Sequence, residues 1–191
     1  MSVDSLIAVL IGPGGVGKGT LARRLVARDP HLWLSRSWTT RPRRPTEDGS
    51  EYVFVDRATF EAAVDQGRFL EWANFHENLY GTPVPEGAGE ADVLLEIEVQ
   101  GAEQVRASHP DAVVFLVVPP SMEDLGDRLR GRGDHEDHVA QRLSSAPAEL
   151  AMGQQIASHV IVNDDLGRAS NEILSILEVL REQRRAALKE D

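Results

Sequence analysis

Gly12-Pro13-Gly14-Gly15-Val16-Gly17-Lys18-Gly19-Thr20 stands directly after the apolar run Leu6-Ile7-Ala8-Val9-Leu10-Ile11 and directly before Leu21-Ala22-Arg23-Arg24-Leu25. The apolar run suits a buried strand, and the segment after the glycines has the apolar spacing of a helix. Gly12, four residues, then Gly17-Lys18 puts a glycine-rich turn between strand and helix N-terminus. Backbone N–H groups and the positive end of the helix dipole there converge on a single anion, the arrangement that cradles the phosphates of a nucleotide. Lys18 is placed to reach the β- and γ-phosphates. Of the 20 Lys and Arg residues all but two are arginine, and the two lysines are Lys18 and Lys189. A chain that otherwise writes its cations as arginine keeps a compact, rotatable ammonium where phosphate oxygens crowd.

A length of 191 residues implies one domain able to bury its own core without staples. There is no cysteine, which excludes disulfides and cysteine-ligated zinc. Ser2, Asp4 and Ser5 are unlike the basic start of a signal peptide, and the apolar runs are strand-sized, so a soluble cytoplasmic protein without a membrane partner is expected. The formal net charge of −11 argues against non-specific nucleic-acid binding. Against that background two arginine groups, Arg36, Arg41, Arg43 and Arg44, then Arg128, Arg130 and Arg132, read as local anion sites.

Strand-length apolar runs recur at Leu6–Ile11, Val93–Val99, Val113–Val118 and Val160–Val162 with helical patterns between them, which predicts an α/β core on a parallel sheet. Ser121 with Asp124, and Asn163-Asp164-Asp165, read as helix starts. The last helix presents Ile173, Ile176, Leu177 and Leu180 on one face and is expected to fray into a charged tail over Glu182–Asp191. Between residues 37 and 82 short strands, Glu51–Val55 and Phe69–Trp72, surround a helix starting after Asp56, the pattern of an inserted substrate-binding lobe. Gly131–His138 is rich in Gly, Asp and His and reads as a mobile lid. His135 and His138 have a spacing open to metal, but a solvated lid is the preferred reading. Trp33, Trp38 and Trp72 read as packing rather than stacking platforms.

Ser37-Trp38-Thr39-Thr40-Arg41-Pro42-Arg43-Arg44-Pro45, then Asp48-Gly49 and Glu51-Tyr52-Val53-Phe54, resembles the substrate loop of guanylate kinases. Phe69-Leu70-Glu71-Trp72-Ala73, Tyr80-Gly81-Thr82, Leu95-Glu96-Ile97-Glu98-Val99-Gln100-Gly101, Arg130-Gly131-Arg132-Gly133 and Gln141-Arg142-Leu143 follow in that family's order. The resemblance implies a P-loop NTPase fold: a central parallel sheet flanked by helices (1–36, 92–126 and 139–191), an inserted GMP-binding lobe (37–91) and a lid (127–138). It implies transfer of the γ-phosphoryl group of MgATP to GMP, giving ADP and GDP. Lys18, Arg44, Arg132 and Arg142 would be catalytic. Gly12 to Thr20 (Gly12, Pro13, Gly14, Gly15, Val16, Gly17, Lys18, Gly19, Thr20), Arg128 and Asn163 would bind ATP, although Asn163 equally reads as part of a helix-capping turn.

The acceptor side can also be argued chemically. Arg41 and Arg44, with the phenols of Tyr52 and Tyr80, suit a phosphate. Guanine presents N1–H and an exocyclic amine side by side, which a carboxylate accepts as a pair, and Glu71 is the candidate, with Ser37 and Thr82 adding hydroxyls. Glu98, expected at a strand end, would reach the acceptor nucleotide or a magnesium-bound water. Gly19 stands where the family usually has serine, Leu79 where it often has tyrosine, and Glu98 where it often has aspartate. Without a hydroxyl at Gly19, Mg²⁺ is expected to arrive with ATP and to be held mostly by nucleotide oxygens and water, with little direct protein ligation. Two other readings stay open at this level: a kinase of another small phosphate ester such as a ribose bisphosphate, and a non-catalytic phosphopeptide-binding module of the same fold.

Overall fold

In the computed structural model of the chain, residues 5–43, 49, 52–75, 77–85 and 88–188 are described. The elements run β1 (Ile7–Ile11), α1 (Lys18–Arg28), β2 (Leu32–Leu34), β3 (Trp38–Thr39), β4 (Val53–Phe54), α2 (Arg57–Asp65), β5 (Phe69–Phe75), β6 (Asn78–Pro83), β7 (Asp92–Glu96), α3 (Val99–Ser108), β8 (Val113–Val118), α4 (Met122–Gly131), α5 (Glu136–Ile156), β9 (His159–Val162) and α6 (Leu166–Ala187).

β1 is buried along its whole length because both of its faces are covered. Ala8 and Leu10 pack with Leu21 and Leu25 of α1 and Ile173 and Leu177 of α6. Ile7, Val9 and Ile11 pack with Val99, Ala102 and Val105 of α3. Among the described residues the main sheet has five parallel strands in the order β2-β7-β1-β8-β9. That order sets the carboxyl end of β7 beside the carboxyl end of β1, where the glycine-rich loop begins, and leaves the site on that edge of the sheet.

The inserted segment makes its own sheet, β4-β3-β6-β5, with β3 antiparallel to β6 and β6 antiparallel to β5. Its small core is aromatic: Phe60 of α2, fully buried, stacks on Phe69 at 4.6 Å, and Trp38 meets Phe69 edge-on at 5.6 Å. Asp56 starts α2 as expected, accepting the Thr59 N–H at 2.7 Å. Ser121 and Asp165 cap α4 and α6 in the same way, through the N–H groups of Asp124 and Arg168.

Four elements differ from the sequence expectation. The run Val93–Val99 is one strand only as far as Glu96; Ile97 and Val99 stay apolar because both bury against the α3 side of the sheet while the chain turns into that helix. β2 carries too short an apolar run to be recognised and is set by pairing with β7. The last helix does not fray at Glu182 but continues to Ala187. Arg181 bridges Asp29 and Asp92 at 2.7 and 2.6 Å, and Arg184 reaches Asp111 at 2.8 Å, so tertiary ion pairs hold the final turns. α4 extends to Gly131, which makes 127–131 of the expected lid its last turns, with loop at 132–135. No helix among the described residues is long and apolar enough to cross a membrane.

Candidate active site

The loop from Gly12 to Gly17 takes the shape its glycines permit. Gly12 has φ +141°, and a Cβ there would stand 2.2 Å from the Val117 carbonyl oxygen; Gly17, which caps α1, has φ +101°. A side chain at Gly12 would thus collide with backbone as well as strain the turn. The loop is also braced from behind. Arg128 of α4 donates to the carbonyls of Val16 (3.1 Å) and Asn163 (2.7 Å), and the Asn163 side chain donates to Val16 O at 2.8 Å. Asn163 is buried, and the capping role that its segment suggested belongs to Asp165.

Lys18 is buried, its ammonium donating to the Gly12 carbonyl and lying 3.9 Å from Glu98 Oε1. Glu98 is the residue preceding α3 rather than the end of a strand. The carboxylate at the strand end is Glu96, which its motif did not mark as a site residue. Its oxygens lie 3.1 and 3.5 Å from where a Cβ on Gly19 would stand. Burial pushes the Glu96 carboxyl up from its ordinary value, opposed by the charge of Lys18. A signal exists in Leu-Leu-Glu-Ile: a carboxylate inside an apolar strand run costs desolvation and stays only where a cation or a ligand compensates. Thr20 is exposed, one position beyond Gly19.

The lid-side arginines gather at the loop. The Arg142 guanidinium of α5 lies over Gly14, whose Cβ position it would overlap. Arg132 hydrogen-bonds Asp134 through Nε and Nη2, and Arg142 Nε lies 3.9 Å from the same carboxylate. The two expected catalytic arginines of the lid side therefore meet at one acid beside the loop.

On the lobe, Arg41 lies 5.5 Å from the Tyr52 ring and the same distance from the Phe54 ring, and Tyr52 meets Tyr80 at 6.0 Å. Burial, then the charge of Glu96, the nearby Tyr80 and the charge of Glu98, push the Tyr52 phenol far up, so it remains a hydrogen-bond donor at any physiological pH. Tyr52 of the lobe therefore lies within electrostatic reach of Glu96 and Glu98. Arg44 lies outside the described residues.

Glu71 follows an irregularity in the β5–β6 ladder between Phe69 and Glu71, which re-aims the strand. Its side chain is buried, and Oε1 accepts from the Thr82 backbone N–H at 3.1 Å and the Thr82 hydroxyl at 2.5 Å. Burial raises the Glu71 carboxyl above its ordinary value, with the Thr82 hydrogen bonds opposing. Ser37 is buried just before β3, its carbonyl accepting from the Val53 N–H. Leu79, buried, takes part in lobe packing.

A phosphate loop on a parallel sheet, facing a lobe that carries an Arg-Tyr-Tyr group and a buried carboxylate, defines a phosphoryl-transfer enzyme of the nucleoside monophosphate kinase class. The guanylate kinase family model matches residues 5–180. A guanylate kinase of Synechococcus sp. (strain CC9902) is 48% identical over 179 residues, 91% of this chain and 95% of that one. One from Symbiobacterium thermophilum is 46% identical over 178 residues, 90% of this chain and 84% of the other. The crystal structure of guanylate kinase from Anaplasma phagocytophilum superposes with a TM-score of 0.75 at 31% identity, covering 93% of this chain and 86% of that one. The chain belongs to the guanylate kinase family, whose members are ATP:GMP phosphotransferases.

Proposed function

We propose that the chain transfers the γ-phosphoryl group of ATP to the phosphate of GMP, with ATP seated on Gly12–Thr20 and GMP on the lobe over 37–91. The observation that carries the acceptor assignment is Glu71: a buried carboxylate with one oxygen held by Thr82, on the lobe that also carries Arg41, Tyr52 and Tyr80. An ionised carboxylate there accepts the N1–H and the exocyclic amine of guanine together, and adenine offers no such pair. A ribose bisphosphate kinase would have no use for this group, and a phosphopeptide module none for the braced phosphate loop.

Two polyanions must approach in line, and unit charges about 4 Å apart repel by about 4 kcal/mol at an effective dielectric near 20, so cations are needed from both sides. Lys18 leaves the Gly12 carbonyl for the β- and γ-phosphates. Arg132 and Arg142 exchange Asp134 for the transferring group as the lid, 127–138, closes. Arg41 and Arg44, with the Tyr52 and Tyr80 hydroxyls, hold the acceptor phosphate. Arg128 and Asn163 keep the loop in shape through Val16 and border the ATP side.

The donor set suits Mg²⁺: Glu96 and Glu98 offer hard carboxylate oxygens close to Gly19 and Lys18, and Gly19 supplies no hydroxyl. Both carboxylates would orient the water shell of an ion that comes with ATP and, when bound, neutralises charge on the phosphates. This reading carries a cytoplasmic location, with ATP and GMP as partners and no nucleic acid. A coupled ADP-release assay with GMP, dGMP, AMP and ribose bisphosphate tests it: turnover with GMP far above AMP is expected, and equal turnover of a non-purine phosphate overturns it.

A further inference from the structure

Gly101 and Gln104 lie three apart on α3, so they share one face of the helix, and both meet β5. A Cβ on Gly101 would stand 2.5 Å from Glu71 Oε2, 2.9 Å from Glu71 Cδ and 3.4 Å from Ile97 Cδ1. Gly101 shows no left-handed backbone, so conformational freedom does not explain a glycine in the first turns of α3. Helix propensity alone favours alanine there. What requires the glycine is the space taken by the Glu71 carboxylate.

Gln104 meets the next residue of the strand. β5 is an edge strand of the lobe sheet, and Gln104 closes that edge as a neighbouring strand would. Its amide nitrogen donates to the Trp72 carbonyl at 2.9 Å, and its amide oxygen accepts the Trp72 N–H at 3.4 Å. Gln104 itself is exposed, so its amide has no packing to serve. Meanwhile Ala102 and Val105 of the same helix are buried against the main sheet. α3 is thus fixed to the core on one side and to the strand carrying Glu71 on the other.

We infer that Gly101 and Gln104 are positioning residues for base selection: α3 holds β5 through Trp72 and leaves, at Gly101, the space in which the Glu71 carboxylate stands beside Thr82. This rests on the reading of Glu71 as the guanine acceptor. Adding a methyl at Gly101 obliges the carboxylate to move by about 1 Å, and a displacement of that size costs an oriented interaction up to about 100-fold.

The test measures steady-state kinetics with GMP and with IMP, which lacks the exocyclic amine, for wild type, Gly101→Ala, Gln104→Ala and Glu71→Gln. Gly101→Ala is expected to raise KM for GMP about tenfold or more and to erase most of the GMP-over-IMP preference, while KM for ATP stays unchanged. Gln104→Ala is expected to move the same two quantities in the same direction by about threefold, and its exposed position keeps it informative if the alanine at 101 impairs folding. If Glu71→Gln destroys the preference while Gln104→Ala, and a folded Gly101→Ala, leave it within about twofold of wild type, the inference is overturned and the guanine reading stands. If Glu71→Gln leaves the preference intact, the guanine reading falls and the inference with it.

Discussion

Glu96 Oε2 lies 3.1 Å from where a Cβ on Gly19 would stand, which joins the end of β7 to the first turn of α1 directly behind the phosphate loop. The missing side chain after Lys18 is therefore occupied space: the half-buried Glu96 carboxylate sits where a larger residue would press.

Gly19→Ser should fold and keep turnover within about threefold, because a single small group displaces the Glu96 carboxylate by only a few tenths of an ångström. Its hydroxyl can donate to Glu96, and the Mg²⁺ midpoint should shift by less than an order of magnitude. Gly19→Val, with two branches at Cβ, should lose much more. Magnesium titrations of initial rate decide it; an order-of-magnitude shift in the midpoint for Thr20→Ala would instead make the exposed threonine a direct ligand.

Lys18→Met should abolish turnover and leave the fold intact. The methionine keeps most of the buried stem but loses the charge on the transferring phosphates, and single transition-state cations in such sites are worth about 10³ to 10⁵ in rate. Circular dichroism checks the fold and the coupled assay the rate. Retention of more than about a tenth of wild-type turnover would contradict the role given to Lys18.

Glu71 sets two opposite pH trends. Its carboxyl is raised in the folded protein by burial, so between the ordinary carboxylate range and the raised value the folded state holds more proton than the unfolded state. Ligand-free stability from this group therefore falls as pH rises through that window. Guanine needs the ionised form, so KM for GMP should fall over the same window. Glu71→Gln should remove both trends and blunt discrimination against AMP. Thermal unfolding and GMP kinetics, each against pH, provide the check; a KM for GMP that is flat with pH would place base recognition elsewhere.

Arg132 and Arg142 share Asp134, so lid closure onto the nucleotides should exchange that carboxylate for phosphate. Hydrogen exchange across Gly131–Arg142 should slow with MgADP plus GMP and less with either alone. Equal protection in all states would make the segment a fixed part of the fold.

Much of the fold and of the site is legible in the sequence itself, and the reason is locality. Gly12–Thr20 is contiguous, so strand, turn and helix start can be read from one stretch. Asp56, Ser121 and Asp165 cap helices through N–H groups three residues away, a distance that sequence spacing states directly. The Arg41, Tyr52, Tyr80 and Glu71 set comes from ordered motifs, and the structure gathers Arg41, Tyr52 and Tyr80 into one group on the lobe that also carries Glu71 beside Thr82.

What the tertiary structure alone decided is which distant residues touch. The strand order β2-β7-β1-β8-β9 brings Glu96 against Gly19, far away along the chain, and no spacing rule encodes that meeting. The same holds for Arg142 over Gly14, for Gly101 and Gln104 against β5, and for the ion pairs of Arg181 and Arg184 that extend α6 where its composition suggested fraying. Local spacing specifies backbone conformation because the interacting groups share one segment. Burial of a carboxylate, or the need for a glycine beside it, depends on what the rest of the chain packs there, and that is decided only when the sheet has closed.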